Sequence, residues 1–349
     1  MKTRVGVLGA TGAVGQRFVQ LLASHPWFEL AAVAASDRSV GKAYEDACAW
    51  RLETPVPAAA RALPVLPVEP DLDCDLVFSA LDATVAGPVE EAFARAGYAV
   101  LSNAGNHRMD EDVPLLVPEI NPDHLALLEA QRRRRGWPGF IATNPNCSTA
   151  TLVLALAPLD RRFGVEAVAV TTLQAVSGAG YPGLPSLDIL GNVIPYIAGE
   201  EEKIERETRK ILGTLTAGGV AAHRARISAQ TTRVPVVDGH TAAVFVSLRE
   251  KAGLEEVRDA FRTFRGVPQE RSLPSAPAHP TVLLEAPDRP QPRLDLGIED
   301  GMATAVGRVR RCGLLDYKFV VLGHNTIRGA AGAAILNAEL LRSEGTLLR

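Results

Sequence analysis

The sequence predicts an α/β domain built on a parallel sheet, followed by an α+β domain whose sheet is mostly antiparallel. Three observations point there. The chain opens as strand, glycine turn, helix, strand. After residue 147 the pattern changes from short strands alternating with helices to long strands with few crossovers. A chain of 349 residues is also long for one hydrophobic core, so two domains are expected.

Taken in order, Arg4 to Leu8 reads as a buried strand, Gly12 to Ala23 as a helix and Leu30 to Ala35 as a second strand. This β-α-β order implies parallel strands joined by a right-handed crossover. The Pro-rich stretch from Thr54 to Pro70 reads as irregular surface or short edge structure. Leu76 to Ala80 and Ala99 to Leu101 are strands, with a helix from Ala86 to Ala96 between them. Arg132 to Arg135, before Gly136-Trp137-Pro138, reads as a solvated helix end and turn. Phe140 to Thr143 completes the first set. Beyond it come a long strand, Val165 to Val176, and a charge-rich helix, Gly199 to Leu212. Thr241 to Leu248 is a half-buried strand and Leu254 to Phe264 a helix. Thr304 to Val309 and Lys318 to Leu322 are strands. Ile327 to Leu341 is a final apolar helix, expected to pack back against the first domain. The expected division is 1–146 with 326–349, and 147–325.

Charged and apolar residues are interspersed and the net charge is −3. That argues against a dedicated nucleic-acid or membrane-surface protein. No stretch approaches the ~20 apolar residues of a membrane span, and Met1-Lys2-Thr3-Arg4 leads straight into a strand without signal-peptide architecture. Cys48, Cys74, Cys147 and Cys312 are widely spaced and lack metal-ligand spacing, so no metal site is expected. A reducing cytoplasm fits, with Cys48, Cys74 and Cys312 structural.

Two motifs carry chemistry. The first is Gly9-Ala10-Thr11-Gly12-Ala13-Val14-Gly15, between a strand and a helix. Gly9 makes a tight turn, Gly12 lets a pyrophosphate approach the helix N-terminus, and Gly15 allows close helix–strand packing. This is the Rossmann dinucleotide-binding context. After the second strand come Ser36, Asp37, Arg38, Ser39 and Lys42. Hydroxyls and cations there favour NADP, whose 2′-phosphate they suit; Asp37 faces either solvent or the ribose. The second motif is Thr143-Asn144-Pro145-Asn146-Cys147-Ser148-Thr149, a strand-to-helix turn. It places Cys147 at a helix N-terminus, where unpaired N–H groups and the helix dipole favour thiolate, the nucleophilic form. Asn146 either helps hold an oxyanion or caps the helix. An attacking thiolate needs a proton-transfer partner, and His240, at a strand end after the Asp238-Gly239 turn, is the histidine chosen. Two segments suit an anionic substrate: Asn106-His107-Arg108-Met109 after a strand, and the Glu200 to Arg206 helix, where Glu200 and Lys203 share a face.

At these residues the chain resembles the aspartate-β-semialdehyde dehydrogenases, specifically their archaeal/fungal-type branch. The resemblance covers nearly the whole chain. It includes the Gly9–Gly15 turn, Asn103 to Asp110, Thr143 to Thr149 and Leu173 to Gly183. It continues through Gly199 to Ile204, Arg233 to Thr241 and His324 to Gly332; Gly105 and Asn106 depart from the Ser- or Ala-like residues expected there. The resemblance implies that Cys147 forms a thioester, His240 is the general acid/base and Gln174 positions the acyl group. It implies that Arg233 pairs with the substrate α-carboxylate and Glu200 takes its amino group. Arg108 and Lys203 would form a phosphate subsite, and Ser177, Gly178 and Asn325 would lie against the cofactor. The implied reaction is NADPH-dependent conversion of β-aspartyl phosphate to L-aspartate 4-semialdehyde, with phosphate released, on the route to lysine, threonine and methionine. The implied assembly is a homodimer or homotetramer formed through the second sheet. The rivals are a related acyl-phosphate or acyl-CoA reductase (acting on N-acetyl-glutamyl phosphate, or on malonyl- or succinyl-CoA) and a non-catalytic dinucleotide sensor.

Overall fold

The computed structural model describes residues 1–347. It divides into two compact units. The first comprises Met1–Leu116, Asp123–Pro145 and the C-terminal stretch from Ala330; the second comprises Val117–Pro122 and Asn146–Gly329.

In the first unit the strands are β1 (Thr3–Leu8), β2 (Phe28–Ala34), β3 (Val65–Leu66), β4 (Leu76–Ser79), β5 (Ala99–Ser102) and β6 (Phe140–Thr143). They form one sheet in the order β3-β2-β1-β4-β5-β6, and every pair is parallel. A parallel sheet flanked by helices has no wet face, so its central strands are apolar throughout rather than alternating. Every residue of β4, β5 and β6 is buried. The order reverses between β1 and β4, and ligands of such sheets bind at that switch point, beyond the strands' carboxyl ends.

The helix after β4 runs from Ala83 to Ala96, three residues earlier than expected. Asp82 starts it: its carboxylate accepts the Thr84 N–H at 2.9 Å, and Gly97 ends it at φ +104°. The arginine run ends the Leu127–Arg135 helix, and Gly136 closes it at φ +67°. This run is not wholly solvated. Arg135 bonds Asp112 and Asp110, at 2.7 Å (Nε) and 2.8 Å (Nη2), and Arg132 lies over the Phe140 ring. The expected final helix is in two parts, a π turn over Ile327–Ala331 and an α-helix over Gly332–Ser343. Ala334, Ile335, Ala338 and Leu341 from its α part join Phe18, Phe78 and Leu101 in the first unit's core.

The second unit carries β7 (Val165–Gln174), a small hairpin of β8 (Thr214–Thr216) and β9 (Gly219–Ala221), and five more strands. These are β10 (Arg226–Arg233), β11 (His240–Leu248), β12 (Thr281–Leu284), β13 (Thr304–Arg311) and β14 (Tyr317–Gly323). The large sheet has the order β10-β7-β11-β14-β13-β12. The pairs β7/β11, β11/β14 and β13/β14 are antiparallel, and β10/β7 and β12/β13 are parallel. Burial alternates along β11, as in a sheet covered on one face only. The covering layer is the Cys147–Phe163 helix, whose Leu152, Leu156 and Leu159 cluster with Val170, Val244, Phe261 and Phe319.

The Val117–Pro122 segment belongs to this unit because Glu119 anchors it. The Arg328 guanidinium grips its carboxylate through two bonds, at 2.8 and 2.6 Å, and Arg161 donates to its carbonyl at 2.6 Å. Among the described residues no helix is long and apolar enough to cross a membrane.

Candidate active site

In the first unit the turn after β1 is shaped by its glycines. Gly9 sits at φ +74°, and a Cβ there would stand 2.7 Å from the Ala80 carbonyl oxygen. A Cβ on Gly15 would stand 2.2 Å from the Gly9 oxygen. The helix that follows, Ala13–Leu22, starts at Gly12 with no side-chain cap and no acidic residue in its first turn. Its N-terminal N–H groups therefore present positive potential to an anion. Gln16 Nε2 donates to the Thr11 carbonyl at 3.0 Å and Tyr44 Oη to that of Ala10 at 2.9 Å, bracing the turn from behind. Thr11, Ala13 and Val14 line the same turn. Past β2, Ser36, Arg38 and Lys42 are exposed and Ser39 is half-buried, on consecutive turns. The chemistry of this cradle fits a phosphorylated dinucleotide. Gly15→Ala is expected to destroy that fit: dinucleotide binding, read by fluorescence titration, should fall below detection, and unchanged affinity would show that the turn tolerates a Cβ.

Arg108 is buried in this unit and donates through Nη2 to the Asn103 carbonyl at 2.6 Å. Its neighbour His107 meets the Asp110 carboxylate at 2.9 Å.

In the second unit Cys147 is the first residue of its helix and Asn146 is the N-cap. The Asn146 side chain accepts the Ser148 and Thr149 N–H groups at 2.9 and 3.2 Å. Of the two roles open to Asn146, the geometry fills the cap. Its other groups are also engaged: Nδ2 donates to Glu200 Oε1 at 2.7 Å, and the backbone N–H donates to Glu207 Oε2 at 2.6 Å. Glu200 and Glu207 lie two turns apart on the Glu200–Ile211 helix, so one helix face clamps the residue before the cysteine. Lys203 Nζ stands 3.7 Å from Glu200 Oε2 and is half-exposed.

Arg233 ends β10, in register with Gln174 at the end of β7. Both are buried. Arg233 Nη1 donates to the Ala175 carbonyl at 2.7 Å, and Gln174 Nε2 bonds Thr172 Oγ1 at 3.3 Å. Burial pulls the Arg233 guanidinium below its usual range, while Cys147 and Glu200, when ionised, act in the opposite direction. A cation, a thiol and a carboxylate thus share one space.

His240 opens β11. Its Nδ1 accepts the Ala175 N–H at 3.1 Å, while its Nε2 is buried with no hydrogen-bond partner. Burial pushes its pKa down to about 3, helped by the nearby Arg233 and His324. Gly178 packs where a Cβ would come within 2.8 Å of Arg233 Nη1 and 3.0 Å of His240 Nε2, so those two groups converge on one point. Asn325 links the surrounding turns: its Oδ1 accepts the Gly239 N–H and its Nδ2 donates to Ser177 Oγ, each at 2.8 Å.

Cys147, Gln174, Ser177, Gly178, Glu200, Lys203, Arg233, His240 and Asn325 all lie in the second unit, and Arg108 and the glycine turn in the first. Three contributors were not anticipated. Glu207 carried a usable signal, being seven residues from Glu200 on a helical face. Gly329 is held so close that a Cβ on it would stand 2.6 Å from Cys147 Cβ. The Ala175 N–H, a backbone group, leaves no trace in sequence.

The chain matches two family models: the NAD binding domain of semialdehyde dehydrogenases over residues 4–128, and their dimerisation domain over residues 156–328. It is 52% identical to the aspartate-semialdehyde dehydrogenase of Methanothermobacter thermautotrophicus over 97% of this chain and 98% of that one. It is 50% identical to that of Archaeoglobus fulgidus over 99% of both. Among solved structures it is similar to the Candida albicans aspartate-semialdehyde dehydrogenase with NADP, at 45% identity and a TM-score of 0.91, with 99% of each chain covered.

Proposed function

The chain belongs to the aspartate-semialdehyde dehydrogenases, and from that premise we propose how its own residues carry the reaction. The substrate is β-aspartyl phosphate in the reductive direction and L-aspartate 4-semialdehyde in the oxidative one. Cys147 is the nucleophile. Its thiolate attacks the acyl carbon, and loss of phosphate leaves a thioester, which is more easily reduced than a carboxylate. The observation that carries this reading is the set of opposite charges gathered at the cysteine. Arg233 and Glu200 are both buried, and charges are kept in such places when they have partners. Protein groups already hold part of each, the Ala175 carbonyl at Arg233 and Asn146 Nδ2 and Lys203 at Glu200, and their remaining capacity suits an amino acid's α-carboxylate and ammonium, Arg233 taking the first and Glu200 the second.

Gln174 orients the acyl group beside Arg233, and His240 attends its oxygen. Lys203 is the cation assigned to the phosphate, and Arg108 is assigned an anion-binding role in its own unit. NADP is the cofactor, and in its reduced form it supplies the hydride when bound. Gly9, Thr11, Gly12, Ala13, Val14 and Gly15 hold its pyrophosphate, and Ser36, Arg38, Ser39 and Lys42 its 2′-phosphate. Ser177, Gly178 and Asn325 stand on the nicotinamide side, and Asn325 also ties the turns that carry them. The match to a dimerisation domain supports a homodimer or homotetramer.

The test is oxidation of L-aspartate 4-semialdehyde, run with NADP or NAD and with phosphate or coenzyme A. Turnover that needs both NADP and phosphate is expected. Turnover with coenzyme A alone would move the chain to the acyl-CoA reductases.

A further inference from the structure

We infer that Glu201 and Glu205 are positioning residues for substrate specificity: by accepting outward N–H groups of β10 they fix the register of the Glu200–Ile211 helix against the strand that ends in Arg233. This rests on the proposed roles of Arg233 at the substrate's α-carboxylate and of Glu200 at its amino group.

β10 ends the large sheet, beside β7. Every second N–H along such an edge points away from the sheet and needs an acceptor. Three in succession find one. The Ala229 N–H donates to Glu205 Oε1 at 3.0 Å, the Thr231 N–H to Glu201 Oε1 at 2.9 Å, and the Arg233 N–H to the Ile194 carbonyl at 2.8 Å. The Arg233 carbonyl in turn accepts the Ile194 N–H at 3.0 Å. A helix and the segment leading into it therefore cover this edge in place of another strand.

The spacing of the two carboxylates suits the strand. Residues four apart rise about 6 Å along a helix, and residues two apart advance about 6.6 Å along a strand. Glu201 and Glu205 thus meet Thr231 and Ala229 one to one, with helix and strand running in opposite directions. Apolar packing, here through the buried Ile204, is non-directional. Two charge-assisted bonds at matched spacing select one register.

That register governs recognition. Glu200 and Lys203 ride on the same helix, and Glu200 bears on Arg233. Glu200 and Glu207 tie the helix to the residue before the nucleophile, and Glu201 and Glu205 tie it to the strand of Arg233. The second tie sets where the carboxylate for the amino group stands relative to the cation for the α-carboxylate. Glu201 and Glu205 act through Glu200 and Arg233 rather than on the substrate.

The experiment compares the double variant Glu201→Ala with Glu205→Ala against Glu201→Gln with Glu205→Gln, in which each amide keeps an acceptor oxygen. In the full-length enzyme, with NADP and phosphate, kcat/KM is measured for L-aspartate 4-semialdehyde and for the same chain without its amino group, 4-oxobutanoate. The preference for the first should fall about tenfold in the alanine pair, the scale of one weakened charge-assisted contact. The glutamine pair should stay within about threefold of wild type. Alkylation of Cys147 by iodoacetamide should keep its wild-type rate in both, because Glu200 and Glu207 still hold Asn146. Should the alanine pair fold poorly, Glu205→Ala alone should show part of the loss. An unchanged preference in the alanine variants, equal losses in the alanine and glutamine pairs, or alkylation slowed in step with the lost preference would overturn the inference. A wild type that treats the two substrates alike would instead reject the reading of Glu200, and the inference with it.

Discussion

Cys147→Ala abolishes turnover: steady-state rates should fall by on the order of 10⁴-fold or more, the loss expected when a covalent nucleophile is removed. The fold should be untouched. Asn146 caps the helix through the Ser148 and Thr149 N–H groups, which the substitution leaves in place, and the alanine Cβ keeps its place against Gly329. NADPH titration should therefore give an affinity near that of wild type, because the glycine turn after β1 lies in the other unit. Circular dichroism should be unchanged. Appreciable turnover in this variant would remove Cys147 from the mechanism and with it the thioester.

The second large effect is on stability. Arg328 and Glu119 are both almost completely buried and joined by two charge-assisted hydrogen bonds. Arg328→Ala leaves a carboxylate buried and unpaired, which costs about 3–5 kcal/mol. Urea denaturation should register that loss as a lower midpoint. The double variant Glu119→Leu with Arg328→Met removes both charges and should be much closer to wild type, since burying a pair costs desolvation that apolar side chains avoid. A single variant as stable as wild type would mean that Glu119 finds another partner or water. Arg328 also borders Gly329, which lies against Cys147, so surviving Arg328→Ala protein should show altered thiol reactivity.

Elements set by one dominant local signal were legible. β6 was placed residue for residue because Phe140 to Thr143 is an apolar run between Gly139 and a polar turn. β7 was expected to run to Val176 and stops at Gln174, because Ala175 turns to bond Arg233 and His240. β10 was missed altogether: Arg226 to Arg233 reads as polar, and it is an edge strand whose first half is wet. β12 went unseen because four residues among prolines look like loop, and only pairing with β13 makes them a strand. Arg135 was misjudged because its acidic partners Asp110 and Asp112 lie more than twenty residues away.

The candidate site divides the same way. Cys147 was legible because a strand, a Pro-Asn turn and a helix announce the position of one atom. His240 was chosen for its place at a strand end and strengthened by the resemblance, since a turn histidine has no local mark of burial. The hydrogen bond at its Nδ1 comes from a main-chain group sixty-five residues away. Nothing in the side-chain pattern could reveal it.

The clamp on Asn146 has a consequence for substrate selection. One helix carries two carboxylates, Glu200 and Glu207, that together hold the residue preceding the sulfur, and the first of them is also the one proposed for the substrate's amino group. Recognition and reactivity are thereby geared together. An analogue lacking the amino group forgoes that seating of the helix, so discrimination against it should appear in how fast it reacts more than in how tightly it is held.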